Sequence, residues 1–433
     1  MGKTAALDPP RLEWAHRQFQ AYYRAVHVEP PSRFTRREFA AFPFSVQTLM
    51  RRHESFRSAD ELRGFLEQEA PRHVYYSSAY YRSPSAATMV AKDWLGADLI
   101  FDLDADHLRH AEGKTYAEQL TLARSRFRDL VDEFLLGDFG FDSRDVSIVF
   151  SGGRGFHAHV HAEAVLPLSS GERRELVEYI LGVGVDPREG VHELREADRG
   201  PALSMGYGAE LAGAGADRPT GVRQRPYQRL APPDAPGWPG RLTRSLFHIL
   251  ARWDEGGVDV AAREMREAGA SDSVARDWAE RLVREGKGRR IREGLSLDVA
   301  TIDFPPALLA QILDQARIQV QGETDAPVTT DVHRLIRLPG SLHGGTGFRV
   351  LPLTRDELDR FEPFRDAPFA GGAPAEVQLL TDVDYPTVPD PTRGKEGETL
   401  TVPRSTALFL TLRGEARPAA AVGAGEPPPS SRP

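Results

Sequence analysis

Between Tyr116 and Leu136, apolar residues recur at Leu120, Ala123, Phe127, Leu130 and Phe134. That three- and four-residue spacing is the buried stripe of an amphipathic helix. Thr115 and Glu118 form a capping box at its start, and Gly137 marks its expected end. A second helix is expected after Ser169 and Glu172, with Leu176, Val177 and Ile180 facing inward, and a third after Thr354 and Glu357. Strand patterning appears in HVYYSSAYY at 73–81, in ADLIFDLDAD at 97–106, and in VSIVF at 146–150 and FHAHV at 156–160, which flank the turn SGGRG. A further strand is expected at 346–353, and a short helix around 331–337. Residues 1–70 read as mostly helical.

Alternation of strands and helices predicts a mixed α/β core. Residues 199–240 are rich in Gly, Pro and Arg and read as a linker. Residues 241–317 are highly charged and helical, interrupted at Pro305-Pro306. The expected organisation is a core in two parts, 1–198 and 318–414, separated by a linker and helical insertion at 199–317. A disordered tail is expected at 415–433.

The chain of 433 residues contains no cysteine. Disulfides, thiolate zinc sites, iron–sulfur clusters and cysteine nucleophiles are therefore excluded, leaving histidine and carboxylate as strong metal ligands. These suit hard ions such as Mg²⁺ or Mn²⁺. Net charge is −8, from 55 basic and 63 acidic residues, so any surface for nucleic acid must be local. The lysines are Lys3, Lys92, Lys114, Lys287 and Lys395, and every other basic residue is Arg, the better fork for phosphate. No apolar run is long enough to span a membrane. The N-terminus lacks an apolar signal core, and the expected location is cytoplasmic.

Three segments carry candidate chemistry. In Phe101-Asp102-Leu103-Asp104-Ala105-Asp106, strand alternation puts Asp102 and Asp104 on one face and Leu99, Phe101 and Leu103 on the other. Paired carboxylates that follow an apolar strand repel each other unless a cation lies between them, which fits a divalent-ion site for phosphoryl transfer. In Ser151-Gly152-Gly153-Arg154-Gly155-Phe156-His157, glycines let backbone approach a phosphate and Arg154 adds a charged fork. The bland alternative is a hairpin turn with a solvated Arg. His157, His159 and His161 share one strand face. A metal ladder is the sharp reading of that row, and polar residues on a half-exposed strand are the preferred one for His159 and His161. The third segment, 325–345, gathers Asp325, Asp331, His333, Arg334, Arg337, Ser341 and His343, with Arg334, Arg337 and His343 able to grip a triphosphate.

In order along the chain, MRRHESF at 50–56, LIFDLDAD at 99–106, FSGGRGFHAHV at 150–160, DVHRLIRLPGSLHGGTGFRV at 331–350 and VPRSTALFLTLRG at 402–414 resemble the archaeo-eukaryotic primase superfamily. They resemble the small subunit of archaeal and eukaryotic primase in particular. The resemblance implies an α/β catalytic core with an RRM-like half and a nucleotide-holding half. It implies Mg²⁺ or Mn²⁺ held by Asp102, Asp104 and Asp325 in a two-metal site. Ser151, Arg154, His157, Arg337 and His343 would contact nucleotide phosphates, with Arg52 assisting. The activity implied is synthesis of short RNA primers, with DNA primers as a variant, on single-stranded DNA. The implied partners are nucleoside triphosphates, the template and a large subunit carrying an iron–sulfur cluster. Many relatives carry a cysteine-rich zinc knuckle just after the aspartates. This chain has only His107 and His110 there, so no zinc is expected.

Asp331 competes with Asp325 as third carboxylate. Asp331 would cap the expected 331–337 helix and pair with Arg334. Asp325 precedes Ala326-Pro327 and has no such local duty, which favours it. Other readings are a primase-like polymerase of end-joining or plasmid replication, a silent template-binding subunit, and a metallohydrolase built on the histidine row. The SLHGGTGFRV and ALFLTLRG blocks favour the replicative small subunit.

Overall fold

The computed structural model describes residues 7–45, 49–109, 111–194, 227–295, 297, 306–369 and 371–419. The chain divides into two compact units, Met1–Ile180 with Glu323–Pro433, and Leu181–Gly322. The sequence reading placed the breaks at 198/199 and 317/318.

In the first unit, helix Pro9–Ala25 precedes strands β1 (Phe39–Phe42) and β2 (Arg51–Glu54). Helix Ala59–Glu69 leads to β3 (His73–Ser77), then to the hairpin of β4 (Ala79–Tyr81) and β5 (Trp94–Ala97), and to β6 (Leu99–Asp104). Strands β7 (Val146–Phe150) and β8 (Gly155–Val160) form the hairpin around the glycine-rich turn. The second unit contributes β9 (Val191–Leu194) and β10 (Tyr227–Leu230). The chain then returns with β11 (Leu335–Arg337) and β12 (Leu351–Leu353). Two four-stranded antiparallel sheets result, in the orders β11–β3–β1–β2 and β12–β7–β8–β6.

The sheets meet where Tyr76 of β3 and His159 of β8 stack nearly parallel, with the Tyr76 hydroxyl 3.2 Å from His159 Nδ1. A buried ion pair ties them at their base. Arg37 and Asp98 are both without side-chain exposure and lie 2.6 Å apart, and Arg37 also donates to the Ser77 and Ser78 carbonyls. Removing one partner would strand the other charge, at about 3–5 kcal/mol.

The helix after Thr115 carries its capping box and buries Leu120, Ala123, Phe127, Leu130 and Phe134. It does not stop at Gly137. From Leu130 it widens into a π-helix to Asp138, with Phe139 N–H reaching the Phe134 carbonyl, and so keeps Leu130, Val131, Phe134 and Leu135 buried.

Several other expectations are corrected. Residues 1–70 include β1 and β2, because Phe39–Phe42 pairs with β3 and takes its structure from that partner. The expected helix around 331–337 is strand β11, paired with β3. At 346–353 only Leu351–Leu353 is regular strand, preceded by a single bridge between Leu342 and Arg349. The tail is ordered through Ala416–Pro418, because Ala416 and Pro418 are buried.

After β12 come β13 (Ala375–Leu379), β14 (Val383–Tyr385), β15 (Thr392–Gly394), β16 (Thr399–Val402) and β17 (Ala416–Pro418), with a sheet in the order β16–β13–β17. The second unit is built from helices Gly237–Glu267, Asp272–Ala279, Lys287–Gly294 and Pro306–Val320. Trp253, Met265, Trp278, Leu282 and Ile312 fill its core. Within the expected linker, Tyr227–Leu230 is a strand paired with β9 and Gly237 opens a helix. Residues 195–226, like the tail beyond 419, lie outside the described residues. Among the described residues no helix is long and apolar enough to cross a membrane.

Candidate active site

Strand β6 buries Leu99, Phe101 and Leu103 beneath the sheet, which turns Asp102 and Asp104 to the opposite face. Its partner β8 runs antiparallel, with Asp102 opposite His157 and Asp104 opposite Gly155. The backbones approach so closely that a β-carbon on Gly155 would lie 2.3 Å from the Leu103 carbonyl oxygen and 2.8 Å from Asp104 Cα. Any other residue at 155 would force the carboxylate strand away from β8.

Asp325 arrives from 223 positions beyond Asp102. Its amide donates to the Asp102 carbonyl at 2.8 Å, and the Thr324 hydroxyl donates to the same oxygen at 3.2 Å. Asp325 occupies the N-cap position of the short helix Ala326–Thr330, yet its side chain makes no cap hydrogen bond. Asp331 lies at the other end of that helix and accepts the His333 amide at 2.9 Å. The expected cap by Asp331 is thus corrected: it closes a helix rather than opening one, and its carboxylate closes a local turn.

Asp104 has an Oδ1 that is buried and without a hydrogen-bond partner. Burial, then the neighbouring charges of Asp102 and Asp106, push its carboxyl above the usual range, against the pull of Arg337 and Arg154. An orphaned carboxylate oxygen among further carboxylates is a hard-oxygen donor set, and the residues present fit a divalent ion such as Mg²⁺ or Mn²⁺. Among the described residues no three His, Asp or Glu side chains form a ready-made cage. Like charges hold such carboxylates apart until a cation draws them together.

The turn between β7 and β8 is braced from within. Ser151 is buried, and its hydroxyl oxygen accepts the Gly153 and Gly155 amides, each at 3.2 Å. Gly152 takes φ +73°, and a β-carbon there would meet His343 Cβ at 2.7 Å, so the turn lies directly against the His343 loop. The Thr346 hydroxyl donates to the Gly152 carbonyl. Arg154 pairs with Asp106, and its carbonyl accepts the Ala105 amide.

Opposite the carboxylates stands a group of cationic and imidazole side chains. Arg337 lies on β11 opposite Tyr75 of β3, with its guanidinium 5.7 Å from the Tyr75 ring centre. The Nε atoms of Arg337 and Arg334 are buried and unpartnered. His157 Nε2 lies 3.3 Å from Asp102 Oδ1. Burial, Arg337 and Arg334 hold His157 neutral, down at about 3. His343 is also held neutral, by burial and by Arg337, His73, Arg72 and Arg154. Arg337 therefore acts on Asp104, His157 and His343 together.

Arg52 is engaged elsewhere, with Nε 3.1 Å and Nη2 3.3 Å from the two oxygens of the buried Glu38. His161 contacts Ser147 and Asp98, away from Asp102. Sequence reading did not single out Arg72, His73, Thr324 or Glu38. The only signal for His73 was its alternation with Tyr75 on one strand, and Arg72 carried none.

Residues 101–355 match the family model for the DNA primase small subunit. The chain is 37% identical over 402 residues to the DNA primase small subunit PriS of Methanothrix thermoacetophila, covering 92% of this chain and 96% of that relative. It is 39% identical over 413 residues to PriS of Methanocella arvoryzae, again covering 92% and 96%. To PriS of Haloarcula marismortui it is 35% identical over 408 residues, with the same coverage. A strand that turns two aspartates toward a glycine-rich turn, the order of these blocks and likeness over nearly the whole length agree: the chain belongs to the DNA primase small subunit family.

Proposed function

We propose that this chain is the primer-synthesising subunit of a primase, joining nucleoside triphosphates on a single-stranded DNA template with release of pyrophosphate. The observation that carries the reading is the apposition of two poles. Asp102, Asp104 and the tethered Asp325 form an acidic one, and Arg337 and Arg154, with the neutral ring of His343 beside them, form a cationic one, with Arg337 acting on Asp104.

Arg337, His343 and Arg154 would hold the triphosphate, as guanidinium forks and imidazole donors do. Arg154 would exchange its Asp106 partner for phosphate. Ser151 acts inside the turn, fixing the Gly153 and Gly155 amides. Neutral His157 keeps Asp102 in place without cancelling its charge. Asp102, Asp104 and Asp325 would hold Mg²⁺ or Mn²⁺, which when bound supply charge neutralisation on the phosphates and a lowered pKa for the attacking hydroxyl. A large subunit is the partner implied by the small-subunit name of the relatives.

The test is labelled-nucleotide incorporation on single-stranded DNA without a pre-existing primer. Wild type should make short products. Asp102→Asn should lose about a thousandfold or more, from the several kcal/mol a metal contributes. Extension only of supplied primers would favour the end-joining type of polymerase, and template binding without synthesis a silent subunit.

A further inference from the structure

Arg72 immediately precedes β3 and is 5% exposed. Its Nε donates to the Gly344 carbonyl at 2.9 Å, and its Nη2 is buried with no partner. Burial pulls its affinity for a proton downward, and no acidic group among the described residues offsets that burial. His73 follows directly, and the His73 and His343 rings meet edge to face at 5.1 Å. The Gly344 amide donates to His73 Nδ1 at 3.3 Å, which leaves Nε2 as the N–H of a neutral ring. Arg337 and Arg154 complete the set of charges acting on His343. The loop is pressed onto Arg72, since a β-carbon on Gly344 would lie 2.4 Å from Arg72 Cγ.

A guanidinium taken out of water without a counter-ion is unfavourable. Such a charge is useful where an anion will arrive, because it is already oriented and needs no solvent reorganisation. We propose that Arg72 is a positioning residue of the incoming-nucleotide site, whose uncompensated charge, anchored on Gly344, sets the His343 loop and is balanced when a nucleoside triphosphate binds. This rests on the triphosphate reading of Arg337 and His343. Arg72 acts through the loop and through its field, since its Nη2 has no access to solvent.

The experiment compares Arg72→Gln and Arg72→Lys in the full chain, with ATP on a poly(dT) strand and Mg²⁺ or Mn²⁺. Steady-state kinetics, ATP binding and thermal unfolding are read for each. Arg72→Gln should raise KM for ATP roughly tenfold, at the lower end of what losing a direct charge-assisted contact costs, with kcat within about twofold. Arg72→Lys keeps the charge and should stay within about threefold of wild-type KM. Arg72→Gln should unfold no earlier than wild type without ATP and gain less stability from it. Equal impairment of both variants with earlier unfolding would reduce Arg72 to a brace for the Gly344 loop and overturn the proposal, as would an unchanged KM in Arg72→Gln. A wild type that primes while Arg72→Gln is normal overturns this inference alone. A wild type that neither binds ATP nor primes overturns the functional reading beneath it as well.

Discussion

The acidic and cationic poles of the site are built differently. Asp102 and Asp104 come from one six-residue strand, so ordinary strand alternation places them together. The cationic pole draws Arg154 from a turn and Arg337 from more than 180 positions further on, and packs beside the neutral rings of His73, from the start of β3, and His343. Local geometry suffices for the first, and sheet pairing is needed for the second. The poles also carry opposite strain. The carboxylates crowd their own negative charge, and the arginines crowd positive charge around histidine rings that burial holds neutral.

The sharpest way to break this contrast is the third carboxylate, the one acidic residue brought in by long-range structure. Asp325→Asn should lose nearly all primer synthesis across a Mn²⁺ titration, about a hundredfold or more if an ion's contribution of several kcal/mol depends on it. Asp331→Asn should lose no more than about fivefold, the roughly 1 kcal/mol of a local turn contact. The reverse ranking would transfer the metal role to Asp331 despite its turn contact with His333.

The cationic pole should respond less. Arg337→Ala and His343→Ala should each cost about ten- to a hundredfold in kcat/KM for nucleotide, from roughly 1.5–3 kcal/mol per charge-assisted contact. Unchanged nucleotide use in both would remove the triphosphate from this pole.

The smallest effect is on stability. Asp104 has a raised carboxyl pKa, so the folded state holds its proton at a pH where the unfolded chain has lost it. Stability contributed here falls as pH rises from the ordinary carboxylate value of 3.8 through the folded pKa. In metal-free buffer Asp104→Asn should therefore unfold later than wild type at pH 7, and the advantage should vanish below about pH 3.8. Chemical denaturation at the two pH values checks this, and equal stability at pH 7 would mean that the carboxylate is not strained.

Much of the site was legible because chemistry and local period coincide in this chain. Alternation along β6 separated Leu99, Phe101 and Leu103 from Asp102 and Asp104, and the boxes at Thr115, Ser169 and Thr354 formed as read. Where the reading failed, tertiary pairing had overridden local preference. Leu335–Arg337 has no strong period of its own and became strand because β3 offered its open edge. Gly137 did not end its helix, because the buried apolar face of Leu130–Leu135 outweighed the usual stop signal.

The sequence by itself determined the paired aspartates, the glycine-rich turn, the absence of thiolate chemistry and the helix starts. All of these depend on residues within a few positions of one another. Only the tertiary structure decided that Asp325, rather than Asp331, hangs from the Asp102 carbonyl, that Arg52 is bound to Glu38, and that Arg72 lies buried behind His343. Those outcomes turn on hydrogen bonds between segments up to 272 residues apart. Such bonds form only after the sheets have paired, and no local spacing encodes them.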